Sequence, residues 1–309
     1  MDRYPFPAYP NGWFRAAYST DLGAGEVKTL HYFGRDLVLF RTEDGKANLL
    51  DAHCAHLGAH LGHGGCVKGS VIQCPFHHWT WDGDGRCVEI PYAKRIPPQA
   101  KMRSWPVAEK DGLIMMFHHA DGAAPTYELP DVPEMNADGW RTPEIHTWKL
   151  RARWLDMNEN CVDQAHFLYI HQTLEIPATK AWADDHVFHT EAAVKMRGPG
   201  NSEAEGLLYT NDYGPGFQVV RMSGFLDTIE VNTSTPIDEE TTETSFVYSV
   251  KTDGDDRKER LATKIVQDLL NQFENDIPIW ENKASWQRPI LCDGDGPFGE
   301  YRKWTKQFF

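Results

Sequence analysis

Two short segments carry four side chains able to bind metal: Cys54-Ala55-His56 and Cys74-Pro75-Phe76-His77. The pattern is C-x-H, seventeen residues, then C-x-x-H. Each segment offers one thiolate and one imidazole. That mixture suits an asymmetric [2Fe–2S] cluster, in which two thiolates hold one iron and two imidazoles hold the other. Neutral imidazole donates less charge than thiolate, so such a cluster has a higher reduction potential than an all-cysteine one. Structural zinc is the rival reading, because zinc takes the same ligand types. Zinc-finger spacing, however, keeps the two cysteines together and the two histidines together. Gly58, Gly62, Gly64, Gly65 and Pro75 flank the ligands, where backbone must turn closely around sulfur. His53, His60, His63 and His78 are off the spacing and read as surface or supporting histidines.

A second constellation lies downstream, Asn158 to His171, in the order NENCVDQAHFLYIH. Two histidines and one carboxylate with open positions make the facial triad of a mononuclear Fe(II) oxygenase. Asp163 and His166 are three apart and would share a helix face. His166 and His171 are five apart, roughly 140° on an ideal helix. Both can reach one metal only if the helix ends, or carries a π-type bulge, between them. Taken alone, the segment also fits an amphipathic helix with incidental histidines. An upstream electron carrier argues for the metal, since its electrons need an acceptor. The third ligand should be a carboxylate from elsewhere. Arg257 to Trp280 reads as a helix with an apolar stripe of Leu261, Ile265, Leu269 and Phe273. Asp276 falls within roughly 20° of Ile265 and Leu269 on that wheel, and a core-facing acid is costly unless it is paired or binds metal. Asp268 is the weaker rival. Glu274 and Glu281 read as solvated, and Asp276 could instead cap or pair locally near Pro278.

Together these residues resemble the oxygenase component of Rieske non-haem iron oxygenases. Within that group the chain is similar to the bacterial 3-ketosteroid 9α-hydroxylases and also to cholesterol 7-desaturases. The likeness rests on DAHCAH (Asp51–His56), CPFHHWTW (Cys74–Trp81), GDGRCVEIPYAKRIPP (Gly83–Pro98), DQAHFLYIH (Asp163–His171), YGPGF (Tyr213–Phe217), DIPIWENK (Asp276–Lys283) and the C-terminal Leu291–Phe309. The resemblance implies that Cys54, His56, Cys74 and His77 hold the cluster, and that His166, His171 and Asp276 hold the iron. It implies that Asp163 bridges a cluster histidine and an iron histidine, and that Asn160 lies near the iron. It also implies a homotrimer in which electrons cross between neighbouring subunits, and a helix-grip catalytic domain. Between His171 and Tyr213 the chain is shorter and differently composed than in the steroid hydroxylases. That region lines the family's substrate pocket.

The chain has 309 residues, 41% hydrophobic and 25% charged, which suits a soluble globular protein with two modest domains. A net charge of −14 argues against nucleic-acid binding. Arg86, Lys94, Arg95, Lys101 and Arg103 make a local basic run, either a solvated face or a patch for an electron-transfer partner. Cys66, Cys87, Cys161 and Cys292 show no disulfide framework and read as free thiols. No signal peptide and no membrane span are visible, so the cytoplasm is the expected location.

The expected fold is α+β. An N-terminal all-β cluster domain covers 1–120, a linker 121–140, and a catalytic domain of antiparallel sheet with a long helix 141–309. Strands are expected at Val27–Phe33, Asp36–Arg41, Ala47–Asp51, Val71–Gln73, Trp79–Trp81 and Arg86–Ile90. In the second domain they are expected at His146–Arg153, Phe217–Phe225, Thr228–Ser234 and Thr244–Val250. The chain thus reads as a terminal monooxygenase. Electrons would come from an NADH-dependent flavin or iron–sulfur reductase, directly or through a ferredoxin. With O₂ they would serve to hydroxylate a hydrophobic, steroid- or sterol-like substrate. Phe217, Val219, Phe246 and Tyr248 are either pocket liners or sheet core. Desaturation and oxidative demethylation share the same ligand set, and a pure electron carrier is a third alternative.

Overall fold

The computed structural model describes residues 5–197 and 203–309. Two compact units divide the chain at Thr126/Tyr127; Ile237–Glu239 belongs with the first, and the described N-terminal residues up to Pro10 with the second.

The first unit is three small antiparallel sheets. Gly12–Tyr18, Leu113–His118 and Val107–Lys110 form one. Val27–Tyr32, Arg35–Arg41, Ala47–Asp51 and Ser104–Trp105 form the second. The third comprises Cys66–Lys68, Val71–Gln73, Thr80–Trp81 and Cys87–Glu89. Leu37 to Phe40 are fully buried, a run of apolar residues facing core on both sides of its strand. The Tyr32–Arg35 hairpin closes over Phe33 and Gly34, both at positive φ, the two-residue turn that matches strand twist. Gly12–Tyr18 and Leu113–His118 escape a sequence reading because every residue in them is buried, leaving no period-2 alternation.

The second unit is built on a seven-stranded antiparallel sheet. Its spatial order is Glu144–Leu150, Thr242–Val250, Thr228–Pro236, Phe217–Met222, Glu203–Tyr213, Val187–Arg197 and Ala178–Asp184. The last three strands come from the region where the sequence offered no strand signal. The long helix, Asp256–Asn282, begins at an Asp255 cap that accepts from the Arg257 and Lys258 backbone N–H groups. It grips the sheet through Phe273, which lies 4.3 Å from Phe246 and 4.6 Å from Trp148. Its buried stripe is Ala262, Val266, Leu270, Phe273, Asp276 and Trp280. The expected stripe was therefore one position out of register: Leu261, Ile265 and Leu269 are only half-buried. Ala262, Val266 and Leu270 pack with Tyr248 and Val250 of the sheet, while Ile265 and Leu269 line the cavity. The helix continues through Pro278 to Asn282 rather than ending there. Among the described residues, no helix is long and apolar enough to cross a membrane.

Candidate metal centres and the cavity

The strand pairs of the first unit end in two loops that bring the Cys and His residues together. Cys54 and Cys74 are buried, 3% and 1% exposed, over a core of Val38, Phe40, Leu61, Ile72 and Trp81. Each loop closes on its own backbone. The Cys54 N–H donates to Ala59 O (2.8 Å), and the Cys74 N–H to Trp79 O (2.8 Å). Gly65 has no room for a side chain, since a Cβ would stand 2.2 Å from the Leu61 carbonyl oxygen. The His56 and His77 rings lie 4.8 Å apart at 72°, and His56 stacks on Trp79 at 4.4 Å. The Trp79 indole in turn donates to the Tyr92 hydroxyl (2.8 Å). Burial, with Cys74 alongside, pushes the Cys54 thiol up to about 11, while a hydrogen bond from the His56 backbone opposes it. Two adjacent buried sulfurs and two neighbouring imidazoles form a donor set that fits a [2Fe–2S] cluster of mixed ligation. His53, His60 and His63 form a separate ring cluster. Of the basic run, Lys94 and Arg95 are exposed, but Arg103 is not part of a solvated face: it stacks over Trp105 at 4.5 Å and donates to His119 O (2.9 Å).

In the second unit, one donor atom from each of His166, His171 and Asp276 lies within 4.8 Å of the others. His171 Nε2 is 3.4 Å from Asp276 Oδ2, and the two imidazole rings meet edge-on at 4.7 Å. The histidines converge because the helix Ala165–Tyr169 ends between them. The His171 N–H donates to His166 O (3.3 Å), a π-type closure, and Gln172 turns left-handed at φ 56°. Asp276, 6% exposed, comes from the far helix. Asn160 Nδ2 donates to Asp276 Oδ2 (3.2 Å), and Asn160 Oδ1 accepts from Trp280 Nε1 (3.4 Å). Asn160 therefore orients the carboxylate. Burial, then the neighbouring His171, push His166 below the ordinary histidine range and favour the neutral ring that a metal needs. His171 Nδ1 is buried without a partner. Two largely buried, converging imidazoles, a buried carboxylate and an unpaired ring nitrogen fit a mononuclear iron site. Asp268 and Glu274 are exposed and lie outside this group, and Glu281 accepts from the Arg151 N–H (3.1 Å).

Asp163 differs from its expected setting. It does not share a helix with His166 but sits in extended backbone between a 3₁₀ turn, Glu159–Val162, and the following helix. Its carboxylate accepts from the His166 N–H (3.3 Å), while the His166 ring nitrogen Nδ1 bonds to the Asp163 main-chain carbonyl. Gly296 packs so tightly on Val162 O, just before Asp163, that no side chain would fit at position 296.

The triad faces a cavity of about 770 Å³ between sheet and helix. Phe217, Phe246 and Tyr248 line it, whereas Val219 is buried core and does not. Leu207, Leu208 and Thr210, from the segment between His171 and Tyr213, supply another wall. One wall is polar, which the sequence reading missed. Asn232 Nδ2 donates to Gln218 Oε1 (2.8 Å), and Gln218 Nε2 to Asp212 Oδ1 (2.6 Å). The Cys161 thiol also faces Asp212, 3.4 Å away. Burial lifts Asp212 to about 7. It also lifts Glu230 to about 7 against hydrogen bonds from Asn232 and Tyr248. In Thr228–Pro236, Ile229 and Val231 alternate with Glu230 and Asn232. That alternation reads as a solvent face in sequence, yet here the polar face is the cavity wall.

Residues 12–106 match the Rieske [2Fe-2S] domain, and residues 116–309 match the 3-ketosteroid 9alpha-hydroxylase C-terminal domain. The chain is 33% identical to a probable 3-ketosteroid-9-alpha-monooxygenase oxygenase component of Rhodococcus rhodochrous, over 99% of this chain and 81% of that protein. It is 31% identical to cholesterol 7-desaturase nvd 1 of Ciona intestinalis, over 98% of this chain and 69% of that protein. The fold is shared with the solved structure of the Pseudomonas putida CBB5 NdmA QL mutant with caffeine, at a TM-score of 0.77 and 23% identity over 96% of this chain and 89% of that one. Dicamba monooxygenase bound to 3,6-dichlorosalicylic acid superposes at 0.76 and 20% identity, over 96% of each chain. The mixed Cys/His loops, the two-histidine–carboxylate group and the sheet gripped by a long helix therefore belong to one lineage: this chain is a member of the Rieske non-haem iron oxygenases, with a catalytic domain of the 3-ketosteroid 9α-hydroxylase type.

Proposed function

We propose that this chain is the terminal oxygenase of a multicomponent monooxygenase that hydroxylates a neutral, multi-ring hydrophobic substrate, with a steroid or sterol as first choice. The observation that carries the reading is the convergence of His166, His171 and Asp276 on a cavity of about 770 Å³ with both apolar and polar walls. That volume lies within the range of drug-sized ligand sites. Cys54, His56, Cys74 and His77 are the proposed cluster ligands, and His166, His171 and Asp276 the proposed iron ligands. When bound, the cluster supplies one-electron transfer and the iron supplies O₂ activation.

The chain's own residues do the rest. Asn160 fixes the Asp276 carboxylate, so that a ligand oxygen stays aimed at the histidines. The Asp163 carbonyl fixes the His166 ring through Nδ1, leaving Nε2 to face the cavity. Phe217, Phe246, Phe273 and Leu269 exclude water and hold a C–H bond of the substrate toward the metal side of the cavity. The Asp163 carboxylate is half-exposed and is the proposed acceptor for a cluster histidine of a neighbouring subunit in a homotrimer. Leu57, Phe76 and Tyr92 stand exposed around the cluster loops, with Lys94 and Arg95 nearby in sequence. Such a rim suits docking of an electron donor, proposed to be an NADH-dependent reductase. The proposed domain division is 1–120, a linker 121–140 and 141–309, in a cytoplasmic enzyme.

The test is a screen of steroids, sterols and smaller aromatics for substrate-dependent NADH consumption with a surrogate reductase, followed by mass spectrometry of products. Added oxygen supports hydroxylation, loss of two hydrogens indicates a desaturase, and released formaldehyde indicates demethylation. Coupling to none of these compounds would overturn the substrate reading.

A further inference from the structure

We infer that Glu230 sets the charge class of the substrate, so that the cavity admits uncharged polycyclic molecules and rejects those bearing a carboxylate. The inference rests on the cavity being the substrate site. Among the described residues lining it, none is Lys or Arg. Its carboxylates are Asp276, assigned to the iron; Asp268, exposed; and Glu230, buried in the wall. No Lys or Arg stands beside Glu230 in that lining to offset a second negative charge there; the iron, when bound, is a cation at the Asp276 end only.

Position gives Glu230 its reach. It pairs across the sheet with Val220 on one side and Tyr248 on the other. Tyr248 packs with Val266 and Leu270 of the long helix. Leu270 precedes Asp276 by six residues, so this level lies ~9 Å from the metal-ligand carboxylate along the helix axis. A molecule of several fused rings that extends from the metal side along this wall reaches Glu230, whereas a single small ring need not.

The fold itself does not call for an acid here. Asn232 and Tyr248 hydrogen-bond the side chain, and a glutamine carbonyl would accept those bonds equally well. Burying a carboxyl without a cation is costly, as its rise to about 7 records. A ligand hydroxyl can bond with this group in either protonation state, and a ketone accepts from its protonated form. A ligand carboxylate meets like charge in a partly desolvated wall, and that repulsion corresponds to a loss of about tenfold or more in affinity.

The test is calorimetric titration at about pH 8 with three probes on one ring skeleton. They are progesterone, the acid in which its acetyl group is replaced by carboxylate, and its 3-(O-carboxymethyl)oxime. The two acids carry their charge at opposite ends of the molecule. Wild type should bind progesterone at least ~10-fold more tightly than either acid. In Glu230→Gln and Glu230→Leu the penalty should shrink by about tenfold for at least one acid, with a smaller change for progesterone. Cluster absorbance and far-UV circular dichroism establish that each variant is folded, and Leu serves if Gln does not fold. An unchanged penalty for both acids in a folded variant overturns the role of Glu230. Equal binding of acid and ketone by wild type overturns it without any variant. Failure of wild type to bind all three probes overturns the steroid reading of the cavity, and this inference with it.

Discussion

Replacing Glu230 with glutamine should change how stability depends on pH. In the folded protein burial lifts this carboxyl from 4.5 to about 7. The unfolded chain therefore loses the proton near pH 4.5 and the folded chain only near pH 7. Between those values the folded state binds more protons, so unfolding free energy falls as pH rises. Below the lower value the acid carries no penalty; above the upper one the penalty is full. The difference of about 2.5 pH units corresponds to roughly 3 kcal/mol, an upper figure because cavity water softens the burial. Glutamine has no proton to lose. Relative to wild type it should gain about 2–3 kcal/mol between about pH 5 and about pH 8. Urea unfolding of the purified holoenzyme, followed by far-UV circular dichroism at several pH values, measures this. Metal-ligand protonation affects both proteins and cancels in the difference. Parallel pH profiles would show that Glu230 ionises normally and that its burial has no electrostatic consequence.

Three further outcomes follow from the metal sites. His77→Cys should lower the cluster potential if the cluster survives, because thiolate adds negative charge; protein film voltammetry reads this, and an unchanged potential removes His77 from the ligand set. His166→Ala and Asp276→Ala should each keep the cluster signal by electron paramagnetic resonance, lose turnover, and drop from about three irons per chain to about two. Glu274→Ala should match wild type, and the reverse result moves the third ligand to Glu274. Asp163→Asn should retain both metals, because the His166 ring is held by the residue-163 main-chain carbonyl, yet cluster oxidation in single-turnover mixing with substrate and O₂ should slow by orders of magnitude. Normal oxidation there means that electrons take another route.

The sequence revealed the metal chemistry because its ligands sit in short local motifs whose spacing is set by backbone turns. The requirement that the helix end between His166 and His171 followed from five residues of rotation, and the structure meets it with the π-type closure. Helix register was harder. Ile265 and Leu269 line the cavity, whereas Ala262, Val266 and Leu270 pack with Tyr248 and Val250 of the sheet, and an apolar pattern alone does not distinguish a cavity wall from packed core. Gly12–Tyr18 stayed hidden because full burial removes alternation. The polar wall stayed hidden for the opposite reason: Glu230 and Asn232 alternate perfectly, and alternation alone does not distinguish bulk water from a cavity. Asp163 was placed on a helix by spacing, whereas it is an extended residue between a 3₁₀ turn and the helix that carries His166, a break that spacing alone does not reveal.

The origin of the three clustered donors has a consequence for assembly. His166 and His171 are joined by one turn of chain, so a local loop can preform two-thirds of the site. Asp276 reaches them only after the intervening strands have paired and the long helix has docked on the sheet. An ion held by all three must therefore bind the folded domain far more tightly than any unfolded chain. By mass action it then adds its binding free energy to the docking of that helix. If these three residues hold the iron, its loading would act as a late checkpoint in maturation: removing the ion with a chelator should loosen the helix first, with hydrogen exchange rising along Phe273 to Trp280 while the central strands stay protected.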